Sequence, residues 1–381
     1  MNIPFHKPFI TQDEIDAVVQ CLESGWITMG QKTIDFEEQF STYIDMPHAV
    51  SFNSCTAALH CALIAIGIKP GNEVIIPDIT FASCAEVITY FGAIPVFCDI
   101  NKETHCIDVE DIESKIHKNT RAIIPVHYAG QPCDMDRIMD ISKHCSLYVI
   151  EDAAHAIPAW YEDKMIGTIG DITCFSFYAT KTLTTGEGGM AVTKHQNWAD
   201  RMRTLRLHGI SRDAWKRYHQ DGSWEYDVNE PGYKYNMTDM NAAMGIEQLK
   251  KVEKIQKLRE RIAYRYTKSF NTNDLLIPYI IQQGKTSAWH LYPLKIDIEN
   301  LIISRNEFIQ ELKDRNIHTS VHFIPLHKFS YYKKFKKDYK YPNSEWVFNC
   351  EISLPIYPSM TDIEVDYVIE NVLDLVEKYR R

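Results

Sequence analysis

Asp171-Ile-Thr-Cys-Phe-Ser-Phe-Tyr-Ala-Thr-Lys181-Thr-Leu-Thr-Thr-Gly-Glu-Gly-Gly-Met190 is the stretch on which the reading of this chain turns. It opens as a strand, because Ile172, Cys174, Phe175, Phe177 and Tyr178 are apolar or aromatic. A threonine-rich loop holding one lysine, Lys181, follows. Gly186, Gly188 and Gly189 come next, where the backbone can take positive φ and approach another group closely. Met190 then resumes strand character. A lysine between two buried strands is costly unless it is bonded to something. On this segment alone, a surface lysine on a glycine hairpin fits equally well.

The stretch upstream changes the balance. Ser146-Leu-Tyr-Val-Ile-Glu-Asp152-Ala-Ala-His155-Ala reads as a buried parallel strand ending in two carboxylates and a histidine. In open α/β sheets, ligands bind beyond the carboxyl ends of the strands. A lysine nucleophile and an acid ending a neighbouring strand are the parts that pyridoxal phosphate (PLP) requires. The lysine bonds the cofactor covalently, and the carboxylate pairs with the ring nitrogen so that the ring can draw electrons.

The pair EDAAHA and FSFYATKTLTTGEGG resembles the DegT family of sugar aminotransferases, fold-type I PLP enzymes, and within it the members that aminate nucleotide-linked 4-keto sugars. The likeness runs over residues 8–360. It implies an α/β fold in which a large domain carries a mostly parallel seven-stranded sheet and a small C-terminal domain is α+β. We place the large PLP-binding domain at residues 1–250 and the small one at 251–381.

The same resemblance implies roles. Lys181 is the cofactor-bonding and catalytic lysine, Asp152 the ring-nitrogen partner, and His155 the contact to the ring hydroxyl. Ser176 matches a phosphate-binding serine. Cys55 and Thr56 open a helix whose backbone N–H groups and dipole suit a phosphate, with glycine usual in the family where Cys55 stands. Simple capping of that helix by Ser54 or Thr56 is the plain alternative. Phe81 matches an aromatic that stacks on the ring, and equally fits ordinary core. The family's partner-subunit phosphate loop corresponds to Gly232-Tyr-Lys234-Tyr-Asn236, which nominates Lys234 and Asn236. Trp26 and Thr28, in SGWIT, and His322 and His327, in VHFIPLH, match substrate-site positions. The cycle implied passes an amino group from L-glutamate, leaving 2-oxoglutarate, to a nucleotide sugar in a homodimer with shared sites. Same-fold alternatives are an enzyme acting on a 3-keto sugar or cyclitol, a sugar dehydratase, and a non-catalytic regulator. Family dehydratases carry histidine where Lys181 stands.

The 381 residues exceed one typical core, in keeping with two domains. A formal charge of −10 argues against a nucleic-acid binder, so an anionic substrate would need a local cationic site. The ten cysteines show no CxxC pair and no zinc spacing, and read as reduced thiols in the cytosol. No metal site is expected. The first residues lack a signal-peptide pattern, and no apolar run approaches a membrane span. A soluble, cytoplasmic enzyme without a membrane partner is the expectation.

Along the chain, Thr11 and Glu14 form a capping-box pattern that starts a helix to residue 23. Strands are expected at 48–53, 73–77, 95–99 and 122–130, with a buried helix at 57–66. His127 and Tyr128 read as braces for the site. A helix spans 198–207, and 211–230 reads as an ordered loop near the site. One helix from 239 to 266 joins the domains, its charged run 250–261 a solvated face. Strands at 289–296 and 317–323 and helices at 305–315 and 361–378 complete the small domain. The basic cluster at 333–340 reads as solvated surface.

Overall fold

In the computed structural model, which describes residues 1–210, 226–336 and 338–381, the strands follow in chain order. They are β1 His48–Phe52, β2 Glu73–Pro77, β3 Ile94–Cys98, β4 Thr120–Ile123, β5 Tyr148–Asp152, β6 Trp160–Tyr161 and β7 Lys164–Met165. β8 Ile172–Ser176, β9 Gly189–Thr193, β10 Leu276–Pro278, β11 Lys285–Thr286, β12 Tyr292–Ile296 and β13 Glu351–Leu354 complete the set. Seven form the main sheet in the order β1-β9-β8-β5-β4-β2-β3. Only β9 runs against its neighbours, β1 and β8. The expected mostly parallel sheet is therefore present, and one edge collects the carboxyl ends of the other strands.

Parallel strands covered by helices on both faces are buried throughout, which is why Glu73-Val-Ile-Ile-Pro and Ile172-Thr-Cys-Phe-Ser carry continuous apolar runs. The helix Cys55–Ala65 lies in the same core, apolar nearly all round, with Ser54 accepting the Ala57 N–H at its start. A separate cluster joins Ile3 to residues from Ile262 to Val376, packing the β10-β12-β13 sheet on the helices Val252–Phe270, Arg305–Asp314 and Asp362–Lys378. The expected helix at the start of the chain is Gln12–Glu23, with its capping box formed.

Five expectations need correction. The helix expected over 239–266 is two helices, Asp239–Leu249 and Val252–Phe270. The break falls where Lys251 turns to the buried Glu14 (2.9 Å) and to Asp13 (2.8 Å), so contacts with another helix override local propensity. Within the charged run read as solvated, Arg259 is buried. Its guanidinium donates to the carbonyls of Trp289 (3.2 Å), His290 (3.3 Å) and Ile356 (3.0 Å). The strand expected over 122–130 stops at Ile123, because Pro125 has no N–H and Tyr128–Gly130 is a single 3₁₀ turn. Residues 317–323 are not a strand. They make isolated bridges at Ile317 and Ser320, and the His322 N–H goes to the Glu351 carboxylate (3.4 Å). Strand β12 begins at Tyr292 rather than at residue 289. Most of the loop expected over 211–230, residues 211–225, lies outside the described residues.

All ten cysteines are free thiols. Among the described residues, no helix is long and apolar enough to cross a membrane.

Candidate active site

A cavity of about 530 Å³ opens at the carboxyl edge of the main sheet. Five of the strands that end there contribute: Ser54 to Thr56 after β1, Thr80, Phe81 and Ser83 after β2, Val126 after β4, Asp152, Ala154 and His155 at the end of β5, and Ser176, Tyr178, Thr180 and Lys181 at the end of β8. The topology alone brings these segments together.

At one end lies an anion cradle. The N–H groups of Cys55 and Thr56 have no acceptor among the described residues, and the helix dipole points its positive end at the same place. Ser176 leaves its hydroxyl hydrogen unused and accepts only a long bond from the Tyr178 N–H (3.4 Å). Gly189 brings β9 against this turn, where an added Cβ would lie 2.5 Å from the Cys55 nitrogen. Gly186 takes φ +78°, the left-handed conformation its place in the loop calls for.

Beside the cradle stand the acid and the amine. Asp152 is buried; one carboxylate oxygen accepts the Ala154 N–H (2.9 Å) and the other the Cys84 thiol (2.9 Å). Each carboxylate oxygen has two lone pairs, so further acceptor capacity faces the cavity. Lys181 has no side-chain hydrogen bond or ion pair among the described residues. Burial lowers its pKa to about 8, with the charge of Asp152 opposing the shift. A neutral amine is thus accessible near physiological pH, as a nucleophilic lysine needs.

The opposite wall is rich in imidazole. His155 and His290 lie ring to ring (4.3 Å), and each keeps a buried Nδ1 without a partner. Burial and the Lys181 charge hold His155 well below its usual pKa, and burial with the His155 and Lys181 charges does the same for His290. His322 enters from beyond the helix Arg305–Asp314, and His6 from the N-terminal segment, its Nε2 3.2 Å from the Ala179 carbonyl. Phe81, 61% exposed on the cavity rim, is not core, which settles that alternative.

Of the residues nominated from sequence, Cys55, Thr56, Phe81, Asp152, His155, Ser176, Lys181 and His322 line the cavity. Trp26, Thr28, Lys234, Asn236 and His327 do not. Trp26 donates its indole N–H to the Met29 carbonyl (3.2 Å), and the Thr28 carbonyl accepts from the Asp239 N–H (3.0 Å). Lys234 is exposed, and Asn236 is buried with its amide on the Met237 carbonyl (3.2 Å). His327 is buried between Asp78 (2.6 Å) and Glu345 (3.3 Å), and ties its turn to the end of β2. His6 and His290 were not nominated. A histidine within the apolar run Trp289-His-Leu-Tyr was the one signal for His290; His6 had none, since only the fold carries the N-terminus there.

The cavity's unmet groups fit PLP: free N–H and hydroxyl donors for a phosphate, a carboxylate for a ring nitrogen, an amine for a carbonyl carbon, and an unpaired imidazole nitrogen on Nδ1 of His155.

Comparison with known proteins agrees. The family model "DegT/DnrJ/EryC1/StrS aminotransferase family" matches residues 8–373. The spore coat polysaccharide biosynthesis protein SpsC of Bacillus subtilis is 48% identical over 379 residues, covering 98% of this chain and 97% of that protein. The PMP form of Spr1654 from Streptococcus pneumoniae superposes with a TM-score of 0.92 at 37% identity, over 99% of this chain and 100% of that one. Helicobacter pylori PseC, an aminotransferase involved in the biosynthesis of pseudoaminic acid, superposes with a TM-score of 0.93 at 27% identity, over 100% of both chains.

Proposed function

The chain belongs to the DegT/DnrJ/EryC1/StrS aminotransferase family and is a PLP-dependent sugar aminotransferase, and from that premise we propose that it aminates a nucleotide-linked keto sugar at the expense of L-glutamate. A 4-keto hexose or pentose carried on UDP or dTDP is the substrate class the reading favours. The observation that carries it is the joint presence, in one cavity, of Lys181, Asp152 and the free donors at Cys55, Thr56 and Ser176.

PLP, when bound, supplies an electron sink that makes the bond to a substrate's α hydrogen labile. The chain's own groups do the rest. With the cofactor bound, Asp152 would keep a proton on the ring nitrogen. Lys181 would hold the cofactor and carry the proton between the reacting carbons as general acid–base. His155 would meet the ring hydroxyl, and Phe81 would pack against the ring. Cys55, Thr56 and Ser176 would take the phosphate through N–H and O–H donors. His322 faces the substrate, and His327 supports that wall through Asp78. Trp26 and Thr28 act on substrate from outside this chain's cavity. Residues 1–250 form the cofactor-binding domain and 251–381 the smaller one.

The phosphate arithmetic supports a shared site. A phosphate monoester carries about two negative charges near neutral pH. A helix terminus supplies about half a charge. Among the described residues lining the cavity, Lys181 is the only lysine or arginine, and the cofactor consumes it. Lys234, exposed on its loop, is the cation a second copy of the chain could bring, with Asn236 beside it. A homodimer with two shared sites follows.

The test offers purified holoenzyme L-glutamate with a panel of UDP-, dTDP- and GDP-linked keto sugars and measures 2-oxoglutarate and the amino sugar formed. Amination of a nucleotide-linked 4-keto sugar is expected. Turnover only of a free cyclitol or a 3-keto sugar would overturn the substrate assignment. For the shared site, Lys181→Ala and Lys234→Ala proteins are mixed under subunit exchange. A heterodimer places both lesions in one site, so activity should return toward half per heterodimer; none returning despite proven exchange would sink it.

A further inference from the structure

Behind the cavity wall, two buried groups stand in line with the half-buried His322. Glu351 and Ser353, on β13, are buried, and the Ser353 hydroxyl lies 2.8 Å from Glu351 Oε1. His322 Nδ1 lies 2.8 Å from the same hydroxyl. Further contacts hold His322 in place. Its backbone N–H points to Glu351 Oε2 (3.4 Å), its backbone carbonyl accepts the Tyr128 hydroxyl (2.5 Å), and Phe5 stacks on its ring (5.6 Å, 22°). The remaining ring nitrogen, Nε2, has no partner among the described residues, and His322 lines the cavity.

A serine hydroxyl has one hydrogen, so Ser353 can donate to only one of its two neighbours. If it donates to Glu351, His322 must carry its hydrogen on Nδ1 and turns the Nε2 lone pair to the cavity. If Glu351 is protonated and donates to Ser353, the serine donates to Nδ1 and His322 presents an Nε2–H.

We propose that Glu351 is a positioning residue that, through Ser353, decides which nitrogen of His322 carries the proton and hence whether the substrate meets a donor or an acceptor there. The inference rests on the reading above that His322 faces the substrate. The two arrangements interconvert by a balanced shift. The Glu351 proton passes to Ser353 Oγ, the serine hydrogen passes to His322 Nδ1, and the Nε2 hydrogen leaves to the cavity.

The surroundings place the change within reach of working pH. Burial pushes Glu351 up to about 8, opposed by its bonds to Ser353 and His322 and by Arg305 and Lys295. Lys295 stands directly across from it on β12, and Arg305 donates to its carbonyl from the helix Arg305–Asp314 (3.1 Å). Tyr128 and Cys350 also lie close, and burial raises both, so neither adds a charge at neutral pH. His322 itself, facing Lys181 and His155, is lowered to about 3 by burial and the Lys181 charge, so it stays neutral on both sides of the change. The sign follows: below about pH 8 the cavity meets an N–H, and above it a lone pair.

Neutron crystallography of the deuterium-exchanged holoenzyme, well below and well above pH 8, tests this without any substrate, so it can fail independently of the sugar assignment. The deuteron is expected on Nε2 at the lower pH and on Nδ1 at the higher. Glu351→Gln, whose amide can donate to Ser353 but cannot titrate, should keep it on Nε2 at both. A deuteron on the same nitrogen at both pH values in the wild type, or an unchanged shift in the Gln variant, overturns the proposal.

Discussion

The floor of the cavity and its opposite wall are built in different ways. The floor comes from the ends of β1, β5 and β8, so each group closes a buried strand or sits within five residues beyond it. The wall takes His6 from the N-terminal segment, hundreds of residues from the others, His290 from just before β12, and His322 from beside β13. A strand end on a packed sheet can hardly move, because shifting it breaks ladder bonds along its whole length. The wall is held instead by side-chain bonds such as Tyr128 to the His322 carbonyl and Arg259 to the His290 carbonyl. On the proposed function, the floor carries the fixed chemistry and the wall selects the substrate.

The strongest way to break that division is at the floor. Lys181→Ala should bind PLP yet lose turnover by at least ~1,000-fold, since covalent anchoring and the proton carrier go together. Borohydride reduction of the wild type should fix the cofactor on Lys181, and peptide mapping that finds it on another lysine would end the assignment. Asp152→Asn comes next. It should keep the fold and the bound cofactor while transamination falls at least ~100-fold, because a ring without its proton draws electrons poorly; near-normal turnover with correctly bound PLP would remove Asp152 from the role.

The third expectation concerns pH. The Lys181 pKa of about 8 in the cofactor-free protein is lowered, so protonation disarms the amine below that value and the neutral form prevails above it. The rate at which apoprotein captures PLP should climb roughly tenfold per pH unit well below the pKa. It should level off above about 8, and a profile still rising far beyond that would contradict the burial argument. The smallest effect lies outside both regions. Lys234→Ala should weaken PLP binding roughly tenfold, and Asn236→Ala by only a few-fold, since a charge-assisted bond is the stronger kind. Equal effects in equilibrium titration would leave the phosphate without its proposed counter-charge.

The same division governs how much could be read in advance. Asp152, His155, Ser176 and Lys181 are legible because each lies next to the strand that places it, inside a stretch of continuous apolar character. His290 sits in an apolar run that says strand and nothing about a cavity. The break at Lys250 and Lys251 was invisible, for helix-forming residues run straight through it, and Glu14 from another helix decides the matter. Arg259 looked solvated by its charged neighbours, but three carbonyls converge on its guanidinium once the chain has folded.

By itself, then, the sequence determined most of the strands and helices, the lysine and the acid that meet in one cavity, and the helix start that offers bare N–H groups. These depend on period, propensity and the residue adjoining a strand end, all local along the chain. Only the tertiary structure decided the imidazole wall, the burial of Arg259, and the line from Glu351 through Ser353 to His322. Each of those is a meeting of segments distant in sequence. What makes them is the packing of the N-terminal segment and the C-terminal third of the chain around one sheet edge, and no periodicity encodes which polar side chains will find one another there.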